Sequence, residues 1–158
     1  VKPTNPIARA IQKMAASPTF AKVGPRFAPK MDKVVHRLTG GRFTLSEGVV
    51  PIVMLTTIGA KTGQQRTTPL ATVPDGDDFL IVGSNFGREH HPAWSTNLIA
   101  NPSASVEFRG ELIGVHAHLL DEAQKAAIWP HVTELWPPFD QYEDRSGREL
   151  RVFRLVRV

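Results

Sequence analysis

The stretch that decides the fold is VVPIVMLTTIGAKTGQQRTTPLATVPDGDDFLIVGS, residues 49–84. Val49–Thr57 is rich in β-branched residues and predicts a strand. Gln65–Val73 predicts a second strand and Phe79–Ser84 a third. Pro74, Asp75, Gly76 and Asp77 lie between those two and have turn chemistry, so the pair reads as a hairpin. Gly59 and Gly63 mark a loop between the first strand and the second.

Downstream the texture repeats. Ser103–Arg109 and Leu112–Leu120 predict two strands joined tightly near Gly110, and Leu150–Val158 predicts a last one. Residues 85–92 read as a loop. A short helix is expected over Pro92–Ala100, starting on proline and stopping at Asn101-Pro102. Asp121 and Gln124 form a capping-box pattern for a helix running toward Leu135, which Pro137-Pro138 stops. Upstream, residues 5–16 read as a helix capped by Asn5, followed by breaks at Ser17-Pro18 and Gly24-Pro25. A second helix is expected from Pro29 to Leu38, with Met31, Val34, Val35 and Leu38 on its apolar stripe. Six strands linked mainly by short turns predict antiparallel pairing. The class is α+β, mostly β: a small barrel of about six mainly antiparallel strands with flanking helices. Residues 1–42 read as a basic helical N-terminal extension and residues 43–158 as the barrel domain. No βαβ alternation and no G-x-G-x-x-G motif supports a doubly wound dinucleotide fold.

A length of 158 residues is one domain with room for a core, and 41 % hydrophobic with 22 % charged residues is ordinary for a globular chain. The absence of cysteine excludes thiol nucleophiles, thiolate metal sites and disulfides, and is compatible with a cytoplasmic location. No run of 18 apolar residues predicts a membrane span, and the N-terminus shows no apolar core of a secretory signal. The net charge of +4 is unevenly placed: residues 1–42 hold nine Lys/Arg and one acid, Asp32, against ten basic and fourteen acidic residues in the remainder. Such a front points to an anionic partner.

Two segments carry chemistry. In the first, Gly59 and Gly63 enclose Lys61 and Thr62, and the strand resumes through Arg66, Thr67 and Thr68. Glycines permit close backbone approach, successive amides can form an anion-binding nest, and the two cations and three hydroxyls add donors. The competing reading is a hairpin turn with solvated Lys and Arg. It is not a Walker loop, because Lys-Ser/Thr does not follow the second glycine. In the second segment, Ser84-Asn85-Phe86-Gly87 leads through His90-His91-Pro92 into Ala93, Trp94 and Asn97, joining a strand end to a helix start with exposed amides. Trp94 is placed either to pack on a planar ring or simply in the core.

Together these segments resemble the deazaflavin-dependent nitroreductase family. The matching residues are Leu55, Thr56, Thr57, Gly59, Lys61, Thr62, Gly63, Arg66, Pro69 and Leu70, then Ser84, Pro92, Trp94, Asn97, Leu98, Ala100, Asn101 and Pro102. The resemblance spans about residues 45–145. It implies a split β-barrel and coenzyme F420, a 5-deazaflavin with a ribityl phosphate and an oligoglutamate tail; FMN is the alternative cofactor. It further implies hydride transfer to a quinone or similar planar acceptor such as menaquinone, with a non-catalytic carrier of the same fold as the alternative. Lys61, Thr62, Arg66 and Thr68 would serve the phosphate and tail. Pro69, Ser84, Asn85, Phe86, Gly87, Ala93 and Trp94 would frame the ring. Asn97 would support that frame or contact the cofactor. Ser84 and Tyr142 are the candidate catalytic donors. On the acceptor side the family carries tyrosines where this chain has Trp136 and Phe139, and a ring-packing tyrosine where it has Ala71; Tyr142 alone keeps a phenol. The expected pocket is aromatic with fewer hydroxyl donors, and reduction of bicyclic nitroimidazoles is not expected.

Other constellations are weaker. His116 and His118 share a strand face but need a third ligand, for which only His90-His91 can be proposed, so no metal is expected. Ser84, His91 and Asp75 lack a G-x-S-x-G turn. The front has too few aromatics for nucleic acid, Phe20 and Phe27 only. It reads either as an amphipathic surface for anionic lipid at the inner face of the membrane or as helices packed over the barrel mouth with their basic faces in water. A homodimer is compatible with pairing of exposed barrel strands.

Overall fold

The computed structural model describes residues 10, 13, 14, 16–38 and 50–158, and within 18–38 it leaves eight side chains undescribed (Ala21, Pro25, Ala28, Pro29, Met31, Asp32, Val35 and His36). The elements run α1 (Pro18–Leu38), β1 (Ile52–Ile58), β2 (Gln65–Asp75), β3 (Asp78–Val82), a 3-10 turn (Asn85–Gly87), α2 (Ala93–Ala100), β4 (Ser103–Phe108), β5 (Glu111–Leu119), α3 (Glu122–Leu135), α4 (Pro138–Ser146) and β6 (Val152–Arg157).

The six strands close into one barrel in the order β1-β2-β3-β6-β5-β4, every pair antiparallel. The barrel interior follows the pleat. Val53, Leu55, Phe79, Ile81, Val106, Val115, Phe153 and Leu155 point inward, and α2 plugs one end with Trp94 and Leu98. The alternate residues Leu80, Val82 and Val152 face outward and are buried against α3 and α4 through Val132, Phe139 and Tyr142. A two-sided burial of β3 explains its unbroken apolar run. Pro69 sits inside β2 opposite Met54, where β2 has only β1 as a neighbour, because pairing with β3 begins at Thr72. A missing N–H is tolerated on such an unpaired edge.

The helices depart from expectation in two places. Ser17-Pro18 is a helix start: the Phe20 amide donates to Ser17 Oγ at 3.2 Å, and Pro18 takes the first helical position. The helix then runs unbroken through Gly24, Pro25 and Pro29 to Leu38. An interior proline costs about 3 kcal/mol, so tertiary packing overrides the local signal here. Gly24 is buried under the Phe20 ring, where a Cβ would lie 2.5 Å from Phe20 Cε1, and Phe20 in turn meets the Phe86 ring edge-on at 5.7 Å. The second departure is α4. Pro137-Pro138 does stop α3, but Pro138 also opens a new helix that ends at Gly147 with φ 64°. The expected capping box is present, with Gln124 N–H donating to Asp121 Oδ1 at 2.8 Å and Asp121 N–H to Gln124 Oε1 at 3.0 Å. The helix expected over 5–16 lies outside the described residues except at Ala10, Lys13, Met14 and Ala16, of which the first three are helical and Ala16 is in a turn. Asn5, Gly40, Gly41 and Val49 also lie outside them.

Candidate cofactor site

The loop after β1 is folded on itself. Gly59 N–H donates to Gln64 O and Gly63 N–H to Gly59 O, both at 2.8 Å, and Gln64 N–H donates to Thr62 Oγ1 at 3.3 Å. Gly59 has no substitute: a Cβ there would lie 2.7 Å from Thr62 Oγ1 and 3.2 Å from Gln64 O. Ala60 N–H donates to Asn97 Oδ1 at 2.9 Å. The amides of Gly59, Ala60, Gly63 and Gln64 are therefore taken up internally, and the expected nest of free amides does not form from them. Anion chemistry falls to side chains. Arg66 is oriented by its Nη2 donating to Gln64 Oε1 at 3.1 Å.

Asn97 joins two elements. Its Oδ1 holds the loop, while its Nδ2 donates to Thr57 Oγ1 at 3.1 Å. Both Asn97 and Thr57 are buried, at 8 % and 1 % exposure. The amide of Asn97 is thus engaged in building the frame. Trp94 is 7 % exposed and packs on Phe153 at 5.8 Å, so it is largely core while one side still reaches the groove.

Between the loop, the start of β2 and α2 lies an open groove of about 770 Å³. It brings together Lys61, Thr62, Arg66, Thr68, Ala93, Trp94 and Asn97 from the expected cofactor set. Residues outside the expected set also line it, Ala60 and Gln65 from the loop and the start of β2 among them. Thr96 joins from α2, and Lys33 joins from α1. Nothing in the local sequence marks Lys33; only the basic bias of the front hints at it. Among the described residues no Asp or Glu lines the groove.

The remaining candidates gather elsewhere. Pro69, Ser84, Asn85, Phe86 and Gly87 are not among the groove's lining residues, nor are Ala71, Trp136, Phe139 and Tyr142. Asn85, Phe86 and Gly87 are consecutive left-handed residues, with φ 46°, 56° and 76°. Asparagine tolerates this conformation, whereas for Phe86 it is strained. At Gly87 it is required, since a Cβ would also lie 3.2 Å from Tyr142 Cα. Phe86 stacks edge-on between Phe20 and Tyr142. Tyr142 is 1 % exposed, and burial pushes its phenol up to about 12. It stands in the outer core with Phe139, and Trp136 packs against the same cluster. Ala71 is half-buried in β2 opposite Ile52.

Arg148, unremarked in the sequence, holds the 83–91 segment. Its Nη2 donates to the carbonyls of Gly83 and Ser84, and its Nε to that of Arg88, each at 3.1 Å. Its Nη1 lies 3.0 Å from His91 Nδ1. Arginine only donates, so His91 Nδ1 carries the lone pair and the ring proton sits on Nε2. Desolvation first, then the charges of Arg148 and Arg151, lower the His91 pKa from 6.5 and keep the ring neutral. Desolvation likewise lowers that of Arg148 from its ordinary value. The His116 and His118 rings meet at a tilt with centroids 5.1 Å apart, and among the described residues no group of three or more His, Asp or Glu side chains could hold a metal ion.

The family model for F420H(2)-dependent quinone reductase matches residues 29–156. An F420H(2)-dependent quinone reductase of Mycobacterium tuberculosis strain H37Rv is 34 % identical over 132 residues, covering 81 % of this chain and 89 % of the relative. A solved F420-H2 dependent reductase (FDR-A) is 33 % identical with a TM-score of 0.61, covering 66 % of this chain and 93 % of its own. A second solved chain, described as a domain-swapped dimer, is 30 % identical with a TM-score of 0.64, covering 78 % of this chain and 94 % of its own.

Proposed function

The chain belongs to the F420H(2)-dependent quinone reductase family, and from that premise we propose that it is an F420-dependent oxidoreductase that reduces a quinone or similar planar acceptor. The observation that carries this reading is the groove in which Lys61 and Arg66 stand beside Trp94, with no Asp or Glu among its described lining residues. A ligand with an anionic arm and a flat apolar head matches that donor set: cations and hydroxyls at one side, an indole edge and Ala93 at the other. When bound, the reduced deazaflavin supplies a hydride to the acceptor. The chain's own part is to bind and orient. Lys61 and Arg66 attract the phosphate, Thr62 and Thr68 offer hydroxyls to it, and Asn97 keeps the loop that carries them against α2. The test is a fluorescence titration with F420 followed by addition of a menaquinone analogue to the reduced complex. Lys61→Ala and Arg66→Ala are each expected to weaken binding about tenfold, from roughly 1.5 kcal/mol per charge-assisted contact. The loss shrinks as salt rises. Unchanged affinity in both variants returns the loop to a plain hairpin.

Ser84 and the aromatic turn at Phe86 remain our candidates for the ring's polar edge, and Ala71, Trp136, Phe139 and Tyr142 for the acceptor side. Burial of Tyr142 favours a packing role over proton donation unless α1 or α4 shifts. The finer acceptor reading is a lipid-soluble menaquinone met at the inner face of the membrane. It is supported by α1, where Val23, Phe27, Val34 and Leu38 are exposed within one sector at spacings of four and seven, next to a sector of Lys22, Arg26, Lys30 and Arg37. Among the described residues no helix is long and apolar enough to cross a membrane. Co-flotation with vesicles containing anionic lipid, lost in Phe27→Glu, is expected; flotation equal in both proteins refutes lipid docking through this face. A homodimer is supported only by the domain-swapped relative.

A further inference from the structure

We propose that Lys33 of α1 is a third ligand-binding cation of the anion groove, so that the anionic arm of the cofactor and helix α1 bind each other. The inference rests on the F420 reading above and extends it to a residue of the front end that the loop chemistry does not include.

Three observations carry it. First, Lys33 lines the same groove as Lys61 and Arg66, and among the described residues no Asp or Glu lines it. Three positive charges brought to one cleft repel one another, and an anion entering it relieves that repulsion. Second, α1 is anchored at its other end to the barrel. Phe20 meets Phe86, and Arg145 Nη2 donates to the Ala16 carbonyl. Third, thirteen residues of helix separate Phe20 from Lys33, about 20 Å at 1.5 Å per residue. The helix therefore spans the distance from the aromatic turn to the anion groove. Arg66 and Lys61 belong to the barrel, whereas Lys33 belongs to an element that docks on it. A ligand touching both must favour the docked position of α1, and by linkage the docked helix must favour the ligand. The basic front, read from the sequence as a separate extension over residues 1–42, then contributes directly to the site.

The test compares F420 with the deazaflavin alcohol that lacks the phosphate and glutamates, by fluorescence titration at low and high salt. Lys33→Ala is expected to weaken F420 binding about fivefold at low salt, the size of a partly exposed charge contact. Lys33→Arg should restore most of that affinity. Arg109→Gln, which removes an exposed charge from the β4–β5 turn outside the groove, should leave it unchanged. The alcohol should bind wild type and Lys33→Ala equally. Hydrogen exchange supplies a second readout: F420 should slow exchange in α1 of wild type, and this protection should fall in Lys33→Ala while protection of the 59–66 loop persists. Equal F420 affinity in wild type and Lys33→Ala, with Lys61→Ala weakened, overturns this proposal and leaves the parent reading standing. Parallel loss for F420 and the alcohol also overturns it, because that marks a merely structural lysine. Failure of wild type to bind F420 overturns both.

Discussion

The most demanding prediction concerns Asn97, which ties the anion loop to α2 through one side chain. Asn97→Leu keeps the volume and removes both hydrogen bonds. The Thr57 hydroxyl is 1 % exposed and loses its 3.1 Å partner. A buried polar group left unpaired costs about 1–3 kcal/mol. The Ala60 amide loses its 2.9 Å acceptor, but Ala60 is exposed and water replaces most of it, adding about 0.5–1 kcal/mol. The sum is about 2–4 kcal/mol. At about 2–4 °C per kcal/mol for a chain of this size, Tm should fall by about 4–16 °C. The assay is thermal unfolding of a double-mutant cycle with Thr57→Val. Valine abolishes the hydroxyl whose isolation is costly, so Asn97→Leu should cost about 1–2 kcal/mol less in that background. F420 affinity should fall in Asn97→Leu, because the Lys61 loop loses its tether. Strict additivity of the two substitutions, or a Tm shift under about 2 °C, would refute the claim that this pair frames the site.

Tyr142 is the only tyrosine, so a phenolate absorbance titration reads it alone. Its ionisation is expected at about 12, or together with alkaline unfolding. Because the unfolded chain ionises first, stability should be full below pH 10 and be lost as pH rises through that interval; ionisation near 10 in the folded protein contradicts its burial. His91 behaves in the opposite sense. Its folded pKa lies below 6.5, so the unfolded chain gains the proton first and stability declines as pH falls below 6.5. Tm measured from pH 7.5 to 5.5 should fall less in His91→Gln, and Arg148→Ala should lower Tm at every pH by releasing the 83–91 segment; parallel curves for wild type and His91→Gln would remove His91 from the account.

Much of the barrel could be read from local pattern because its strands are short, β-branched and joined by turns whose residues declare themselves. Pro74 to Asp77 and Gly110 are such turns, and Asp121 with Gln124 is such a cap. The errors fell where a local signal has two meanings. Ser17-Pro18 signals a break, yet proline is also the preferred first residue of a helix; Pro137-Pro138 does both, ending α3 and opening α4. Gly24-Pro25 does disfavour helix, but the Phe20–Phe86 contact lies more than sixty positions apart and leaves no local trace. The site divides similarly. Lys61, Thr62, Arg66, Thr68, Ala93, Trp94 and Asn97 share the groove because two contiguous motifs carry them. Lys33 and Arg148 are brought in by tertiary packing alone, and neither sits in a recognisable motif.

The barrel's closure has a mechanical consequence. A ring of strands opens at its shortest seam, and here that seam is β1 with β4, paired only over Met54–Thr56 and Ser105–Glu107. The opposite edge of β1 is zipped to β2 over its whole length, from Ile52 to Ile58. A fluctuation that parts the ring would therefore swing β1 and β2 together as a flap, with the Gly59–Gly63 loop at its tip. The hydrogen bond from Ala60 to Asn97 is the latch on that flap. Rigidity of the groove and integrity of the ring are then one property, held by one asparagine across the gap.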